Sequence, residues 1–185
     1  MTMPEQKPGR SRQDYTTPAE FLAAVKHRFG ITQFVIDLAA DETNAVADQW
    51  YDRELDALQQ PWAVGEGWNW LNPEFGDIEP WVRKAYEQML AGAQTLVLVP
   101  AGVGSNWWAA WVHEKAGVLL LNGRLCFIKD WATTIDPASV KRGDDPPRCY
   151  SQPPLYPKDC CLLVYSALVE TGYDVWSWRE EIPGA

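Results

Sequence analysis

Short apolar runs alternate with amphipathic stretches along the first two thirds of the chain. The runs at 34–38, 68–71 and 95–99 are rich in aliphatic and aromatic residues and have the length of buried strands. The stretches at 17–29 and 78–89 carry apolar residues three and four positions apart, which is the spacing of helices that bury one face. This alternation predicts an α/β domain with a mostly parallel sheet and helices on both of its faces.

The C-terminal part of the chain has a different pattern. Residues 118–121 and 124–128 are both strand-like, and the Asn122-Gly123 pair between them is typical of a tight turn. An antiparallel hairpin is therefore predicted here. Residues 160–165 are apolar and are interpreted as the last buried strand.

The 185 residues have the size of one domain. Residues 1–14 are polar and predict a flexible N-terminal arm, so the domain is expected to span 15–185. Residues 129–159 hold many prolines, aspartates and basic residues and predict a long surface loop. A loop of this length in a compact domain is more often functional than idle.

The net charge of −9 argues against a protein that holds nucleic acid by bulk electrostatic attraction, because phosphate contacts need lysine and arginine. A local basic rim remains compatible with DNA binding. The basic residues that cluster in one late segment are Lys141, Arg142, Arg148 and Lys158.

The chain has two histidines and four cysteines without a C-x-x-C pair, so no metal site is expected. Free thiols indicate a reducing cytoplasm. No apolar run approaches membrane-spanning length, so no membrane is expected among the partners. The sequence leaves monomer and dimer open as alternatives.

A polar loop, Asn72-Pro73-Glu74-Phe75, directly follows the apolar run at 68–71. The Asn72 side-chain oxygen and the Pro73 backbone carbonyl can both accept hydrogen bonds from one amino group. Phe75 offers a flat face on which a planar ring can stack. These features suit methylation of an amino group on a nucleobase, and the alternative interpretation is a plain turn after a strand.

Two polar positions fall where predicted strands end. Asp37 lies at the end of the 34–38 run, and Asn72 and Pro73 follow the 68–71 run. In open α/β sheets ligands bind at the carboxyl ends of the strands. The sequence therefore predicts that these residues face one cleft.

A series of short motifs resembles the phage-type DNA N6-adenine methyltransferase family, the Dam-like enzymes of phages and prophages. The similarity covers roughly residues 15–128 and lies in the order and spacing of the motifs. They are Thr17-Pro18, Asp37-Leu38-Ala39-Ala40, Asn44, Tyr51, Asp56-Ala57-Leu58, Trp62, Leu71-Asn72-Pro73, Ile78, Pro80-Trp81, Pro100-Ala101, Trp107-Trp108 and Gly123-Arg124-Leu125-Cys126-Phe127. The resemblance implies a Rossmann-like core, S-adenosylmethionine as methyl donor, DNA as substrate and a place in the host cytoplasm.

The resemblance also implies a donor site. Thr17 and Pro18 would contact the methionine end of the donor, and Ala39 would lie beside it. Asp37 would bind the donor's ammonium group or a ribose hydroxyl, or else it caps the segment that follows. Asp56 would touch the adenosine portion, and a solvated loop aspartate is the alternative.

For catalysis, Asn72 and Pro73 are expected to accept hydrogen bonds from the adenine amino group. The base has to leave the duplex to be reached, and Phe75 is the expected surface on which it stacks. Trp107 and Trp108 are candidates for the opposite wall or for the donor site. Core packing is the better interpretation for at least one of these two tryptophans.

Arg124 follows the predicted turn, and Lys141, Arg142, Arg148 and Lys158 lie in or beside the long loop. We expect them to contact phosphates, with the loop selecting the target sequence. A solvated, charged loop is the alternative.

Glu74 is a departure, because the family that the chain resembles has a second proline at this position. Both acceptors for the amino group remain, but the rigidity of the second ring is lost. Two other functions therefore stay open. One is an inactive relative that binds DNA or a protein, and the other is methylation of a different amino group, on cytosine, RNA adenine or a protein amide.

Overall fold

The computed structural model describes residues 15–125, 127–129 and 158–181. Seven strands and three α-helices lie within these described residues. The strands are Tyr15–Thr16 (β1), Trp68–Leu71 (β2), Gln94–Pro100 (β3), Gly117–Leu121 (β4), Ile128–Lys129 (β5), Cys160–Tyr165 (β6) and Gly172–Trp176 (β7). The helices are Ala19–Phe29 (α1), Glu79–Leu90 (α2) and Asn106–Trp111 (α3), and short 3₁₀ turns lie at Ala57–Gln59 and Trp178–Glu181.

The main sheet has five strands in the spatial order β2, β3, β6, β4, β7. The pairs β2–β3 and β4–β7 are parallel, whereas β6 is antiparallel to both β3 and β4. Every strand of this sheet except β6 therefore runs in one direction. The α/β class is confirmed, but the sheet is mixed, since β6 is inserted in its middle with all six residues buried.

The predicted hairpin at 118–128 is wrong. Gly123 does adopt the positive φ of a turn, at 106°. The chain cannot return along β4, however, because β6 and β7 occupy the two edges of that strand. Ile128–Lys129 pairs instead with Tyr15–Thr16 in a separate two-stranded sheet. β7 was not predicted: Tyr173, Val175 and Trp176 favour a strand, but four of its five residues are exposed, so no buried run marks it.

Helices cover both faces of the sheet, as predicted. On one face α1 buries Phe21, Ala24 and Val25 in the cluster that includes Leu96 and Leu98 of β3. On the other face α2 buries Val82 and Ala85 in the cluster that includes the alternate β3 residues Val97 and Val99, and Trp108 of α3 joins that cluster. Burial of each large apolar side chain contributes roughly 1.5–3 kcal/mol, so the sheet is held from both sides.

Neither α1 nor α2 has a side-chain cap at its N-terminus. α1 begins after Pro18, which occupies the N-cap position, and no side chain caps its first turn. The hydroxyl of Thr17 accepts a hydrogen bond from the Asn72 amide instead. The N-cap of α2 is Ile78, and Pro80 lies in its first turn. The chain from 44 to 49 forms turns and bends, and Trp50 forms a bridge to Asp37.

The 34–38 segment runs parallel to β2 along the outer side of that strand. Val35 and Leu38 donate backbone hydrogen bonds to the carbonyls of Trp68 and Trp70, each at 2.9 Å. Asp37 forms parallel bridges to both Trp50 and Trp70. The carboxyl ends of the 34–38 segment and β2 therefore lie side by side, which is where the sequence placed the cleft. No described helix is long and apolar enough to cross a membrane.

Candidate active site

A pocket of about 320 Å³ lies at the carboxyl ends of the 34–38 segment and β2. This volume is at the lower end of the range for small-molecule sites. One wall comes from residues 38–40 and 51–58, and the other comes from the chain between β2 and the first turn of α2. The lining residues are Leu38, Ala39, Ala40, Tyr51, Asp52, Arg53, Asp56, Ala57, Leu58, Glu74, Asp77, Pro80 and Trp81.

Two of the residues predicted to bind the donor line this pocket. Ala39 follows the 34–38 segment, and Asp56 stands at the N-terminus of the Ala57–Gln59 turn. Asp56 has a left-handed backbone (φ 46°), and its carboxylate accepts a hydrogen bond from the Leu58 amide at 3.1 Å. The side chain is exposed, so its remaining lone pairs can meet a ligand. Pro18 is buried and is not part of the lining.

Asp37 is buried behind the pocket wall, with 3% of its surface exposed. Its carboxylate accepts hydrogen bonds from the backbone amides of Ala39 at 3.3 Å and Val46 at 3.1 Å. Desolvation outweighs these hydrogen bonds and raises the pKa of Asp37 to about 6. This geometry matches the capping alternative, in which Asp37 fastens the loop that carries Ala39 into the pocket.

Asn72 is half-buried and follows β2 directly. Its Nδ2 donates to the Thr17 hydroxyl at 3.2 Å, although 55 positions separate the two residues in the sequence. The pairing of β1 with β5 holds the chain just before Thr17 in place. An amide that donates through its nitrogen presents its Oδ1 as an acceptor for another group. Neither Asn72 nor Pro73 lines the pocket, but the next residue, Glu74, does.

Phe75 is half-buried between the two layers of the core and packs against both. Its ring meets Phe127 edge-on, at a centroid distance of 5.7 Å and an interplanar angle of 73°. Such a contact orients the ring of Phe75 beside the end of β2. Phe127 stands just before β5, so the chain that pairs with β1 also supports the 72–75 loop.

The two adjacent tryptophans of α3 have different environments. Trp108 is 2% exposed, and its indole Nε1 donates to the Tyr173 hydroxyl at 3.2 Å, so it is a core residue. Trp107 is half-buried and lies against Gly102, in the loop that follows β3. Neither side chain lines the pocket.

Arg124 is described by the structure together with Lys158, whereas the other predicted phosphate contacts, Lys141, Arg142 and Arg148, lie outside the described residues. The Arg124 side chain is half-exposed and pairs with Asp159 at 3.3 Å. Arg179, which the sequence interpretation missed, donates to the Arg124 carbonyl at 2.9 Å. Lys158 is exposed next to this pair in the sequence.

Several pocket residues were not assigned a role from sequence. Tyr51 and Trp81 provide aromatic walls, and both belong to the motifs that carry the resemblance, which could have identified them. Arg53 Nη2 donates to Glu74 Oε1 at 2.8 Å and joins one wall of the pocket to the other. No feature of the sequence indicated that contact.

The pocket has an acidic lining, with Asp52, Asp56, Glu74 and Asp77 against the single cation Arg53 among its lining residues. Carboxylates at a partly enclosed surface favour a cationic ligand or one with hydroxyl donors. No group of three metal-binding side chains occurs within the described part of the chain.

Comparison with known families places the chain in one class of protein. The model of the family described as "DNA N-6-adenine-methyltransferase (Dam)" matches residues 5–141. This range is well over half of the 185 residues, so the chain belongs to that family. The resemblance seen in the sequence is thereby confirmed.

One curated relative is the DNA N-6-adenine-methyltransferase of Escherichia phage T1. It is 30% identical over 118 residues, which are 64% of this chain and 48% of that protein. The match thus spans about half the length of the phage protein. No solved structure matches this chain.

Proposed function

We propose that this protein transfers a methyl group from S-adenosylmethionine to the N6 amino group of adenine in DNA. The observation that carries the proposal is the position of Asn72. It follows β2, donates to Thr17, and stands two residues before Glu74, which lines the pocket. Membership of the Dam family supports the same chemistry.

The residues of the pocket fit the donor. Trp81 and Tyr51 supply flat, largely apolar surface for a purine ring. Asp56 and Asp77 supply carboxylates for ribose hydroxyls or a positively charged group. When bound, the donor supplies a methyl group activated by a sulfonium. Asp37 is proposed to act indirectly, through the loop that presents Ala39, since its own carboxylate is held by Ala39 and Val46.

Asn72 Oδ1 and the Pro73 carbonyl are proposed to accept the two hydrogens of the adenine amino group. The nitrogen lone pair of adenine is delocalised into the ring, and two fixed acceptors favour a geometry in which that lone pair is available to the methyl group. Acceptors that are already oriented need no rearrangement at the moment of reaction. Thr17 provides that orientation for the Asn72 amide, and we therefore assign it a positioning role.

The target base has to leave the helix, and Phe75 is proposed to receive its face. Arg124, Arg179 and Lys158 form an outer group of cations suited to phosphate, and we retain Lys141, Arg142 and Arg148 as proposed DNA contacts. Trp107 remains a candidate for a wall of the base site. We also propose that the sheet is a Rossmann-like methyltransferase core, encoded by a phage or prophage and acting in the host cytoplasm.

Labelled donor and unmethylated DNA test this proposal directly. Wild-type protein is expected to release N6-methyladenine on nucleoside mass spectrometry, and Asn72→Ala is expected to release little or none. Gln94→Ala is the matched control, because it removes an amide at the opposite end of β3, where Ser166 donates to Gln94 at 3.1 Å. Methylcytosine as the product, or equal labelling by wild type and Asn72→Ala, would overturn the assignment.

A further inference from the structure

The ion pair between Arg53 and Glu74 spans the pocket. Arg53 belongs to the 51–58 wall, Glu74 belongs to the 72–75 loop, and their side chains meet at 2.8 Å. The two walls are joined on the inner side by the bridges that Asp37 makes to Trp50 and Trp70. The ion pair adds a link on the outer side, which encloses the space between them.

This link contributes little to the stability of the fold. The side chains of Arg53 and Glu74 are 73% and 38% exposed, and exposed pairs of this kind contribute about 0.2–1 kcal/mol. Because of the position of Glu74, the pair can instead affect the backbone next to Pro73. The nitrogen of Glu74 and the carbonyl of Pro73 belong to one planar peptide group, so the direction of that carbonyl depends on how residue 74 is held.

We infer that Arg53, through Glu74, positions the Pro73 carbonyl as an acceptor for the target amino group; the inference rests on the proposed function. A proline at position 74 would restrict its own φ through its ring, whereas the backbone of a glutamate is free. The ion pair restrains residue 74 through the Glu74 side chain, in place of a proline ring. Because Arg53 also lines the pocket, the same contact ties the geometry of the 72–75 loop to the wall against which the donor lies.

Steady-state kinetics of Arg53→Gln, Glu74→Gln and the double variant test this inference. Each single variant is expected to lower kcat by up to about fivefold, because a pair that contributes at most about 1 kcal/mol can restrain the loop by no more than that factor. The double variant is expected to be no slower than either single variant, and KM for the donor is expected to change less than about threefold. Arg83→Gln is the control, since it breaks a similarly exposed pair with Glu87 at 2.8 Å, outside the pocket, and should leave kcat unchanged.

Glu74→Pro provides a second measurement. With the backbone restricted by the ring, Arg53→Gln in this background is expected to leave kcat unchanged, to within about 1.5-fold of its parent. An unchanged kcat in both single variants would overturn the inference. So would losses that multiply in the double variant, or a loss confined to KM for the donor. Wild-type protein that transfers no methyl group would instead overturn the proposed function itself.

Discussion

The loops that follow β2 and β3 occupy equivalent places in the sheet but differ in what holds them. Both leave the carboxyl end of a strand in the same direction, because β2 and β3 are parallel. The 72–75 loop is held through polar side chains, by Asn72 to Thr17 and by Glu74 to Arg53. The loop after β3 leads into α3, where Trp108 is sealed in the core.

This difference shows that a position at the end of a strand does not by itself make a functional residue. The sequence offered both the tryptophans of α3 and the 72–75 loop as candidate site residues. Only the 72–75 loop presents half-buried polar groups next to the pocket. Burial of Trp108 stabilises the fold, whereas the exposure of Asn72 leaves an acceptor available for chemistry.

The largest effect that we expect is a loss of stability in the variant Trp108→Ala. Removing a buried indole leaves a cavity and one hydrogen bond fewer to the Tyr173 hydroxyl, which keeps its contact with His113 at 3.1 Å, with a loss of about 3–5 kcal/mol in the free energy of unfolding. Urea denaturation followed by circular dichroism measures it. A variant as stable as the wild type would show that burial of Trp108 does not stabilise the fold.

Asn72→Ala is expected to lower catalysis strongly and stability only weakly, which is the opposite of Trp108→Ala. Loss of one preoriented hydrogen-bonding group lowers kcat by about 10²- to 10³-fold. The side chain is half-buried, so the melting temperature should fall far less than it does for Trp108→Ala. Kinetics and thermal melts on the same preparation provide both numbers, and a stability loss that matches Trp108→Ala would contradict the comparison.

The pH dependence of stability tests the structural role of Asp37. Its pKa is about 6 in the fold against 3.8 unfolded, so the stability it contributes is complete below the unfolded value and is lost as pH rises through about 6. Between about pH 4 and pH 7 the wild type should therefore lose up to roughly 3 kcal/mol relative to Asp37→Asn, which does not titrate. Urea unfolding of both proteins across this window measures the difference, and parallel curves would show that Asp37 is not desolvated.

The smallest effect is expected from Thr17→Val, which removes the hydroxyl but keeps the shape of the side chain. The Asn72 amide would lose one hydrogen bond, which corresponds to about 1 kcal/mol, or roughly fivefold in kcat. Thr17→Ser should restore the rate because it keeps the hydroxyl. Equal rates for Thr17→Val and wild type would remove Thr17 from its positioning role.

Much of the local structure could be predicted from the sequence. The helices α1 and α2 and the strands at 68–71, 95–99 and 160–165 follow from runs whose apolar spacing matches one type of element. β7 could not be predicted, because it is an exposed edge strand. The hairpin was predicted wrongly because the Asn-Gly turn is a local signal, whereas the occupied edges of β4 are decided by strands far away in the sequence.

The candidate site divides in the same way. The amino-acid types of Asn72, Pro73 and Phe75, and their place after a strand, were visible in the sequence and pointed to amino-group chemistry. The contact of Asn72 with Thr17 and that of Glu74 with Arg53 were not, since the partners are 55 and 21 positions apart. The same holds for Asp37. Its position in the sequence suggested a ligand-binding acid or a cap, and the structure buries it with its carboxylate bonded to the backbone of the loop that follows.

The sequence by itself determined the chemical groups, the alternation of elements and the family. The tertiary structure decided which strand edges were occupied, which tryptophan was sealed in the core, and which side chains met across the pocket. The physical reason is the range of the interactions. Spacing and turn preferences act between neighbours in the chain, whereas burial, desolvation and hydrogen bonding between distant segments exist only once the sheet has brought those segments together.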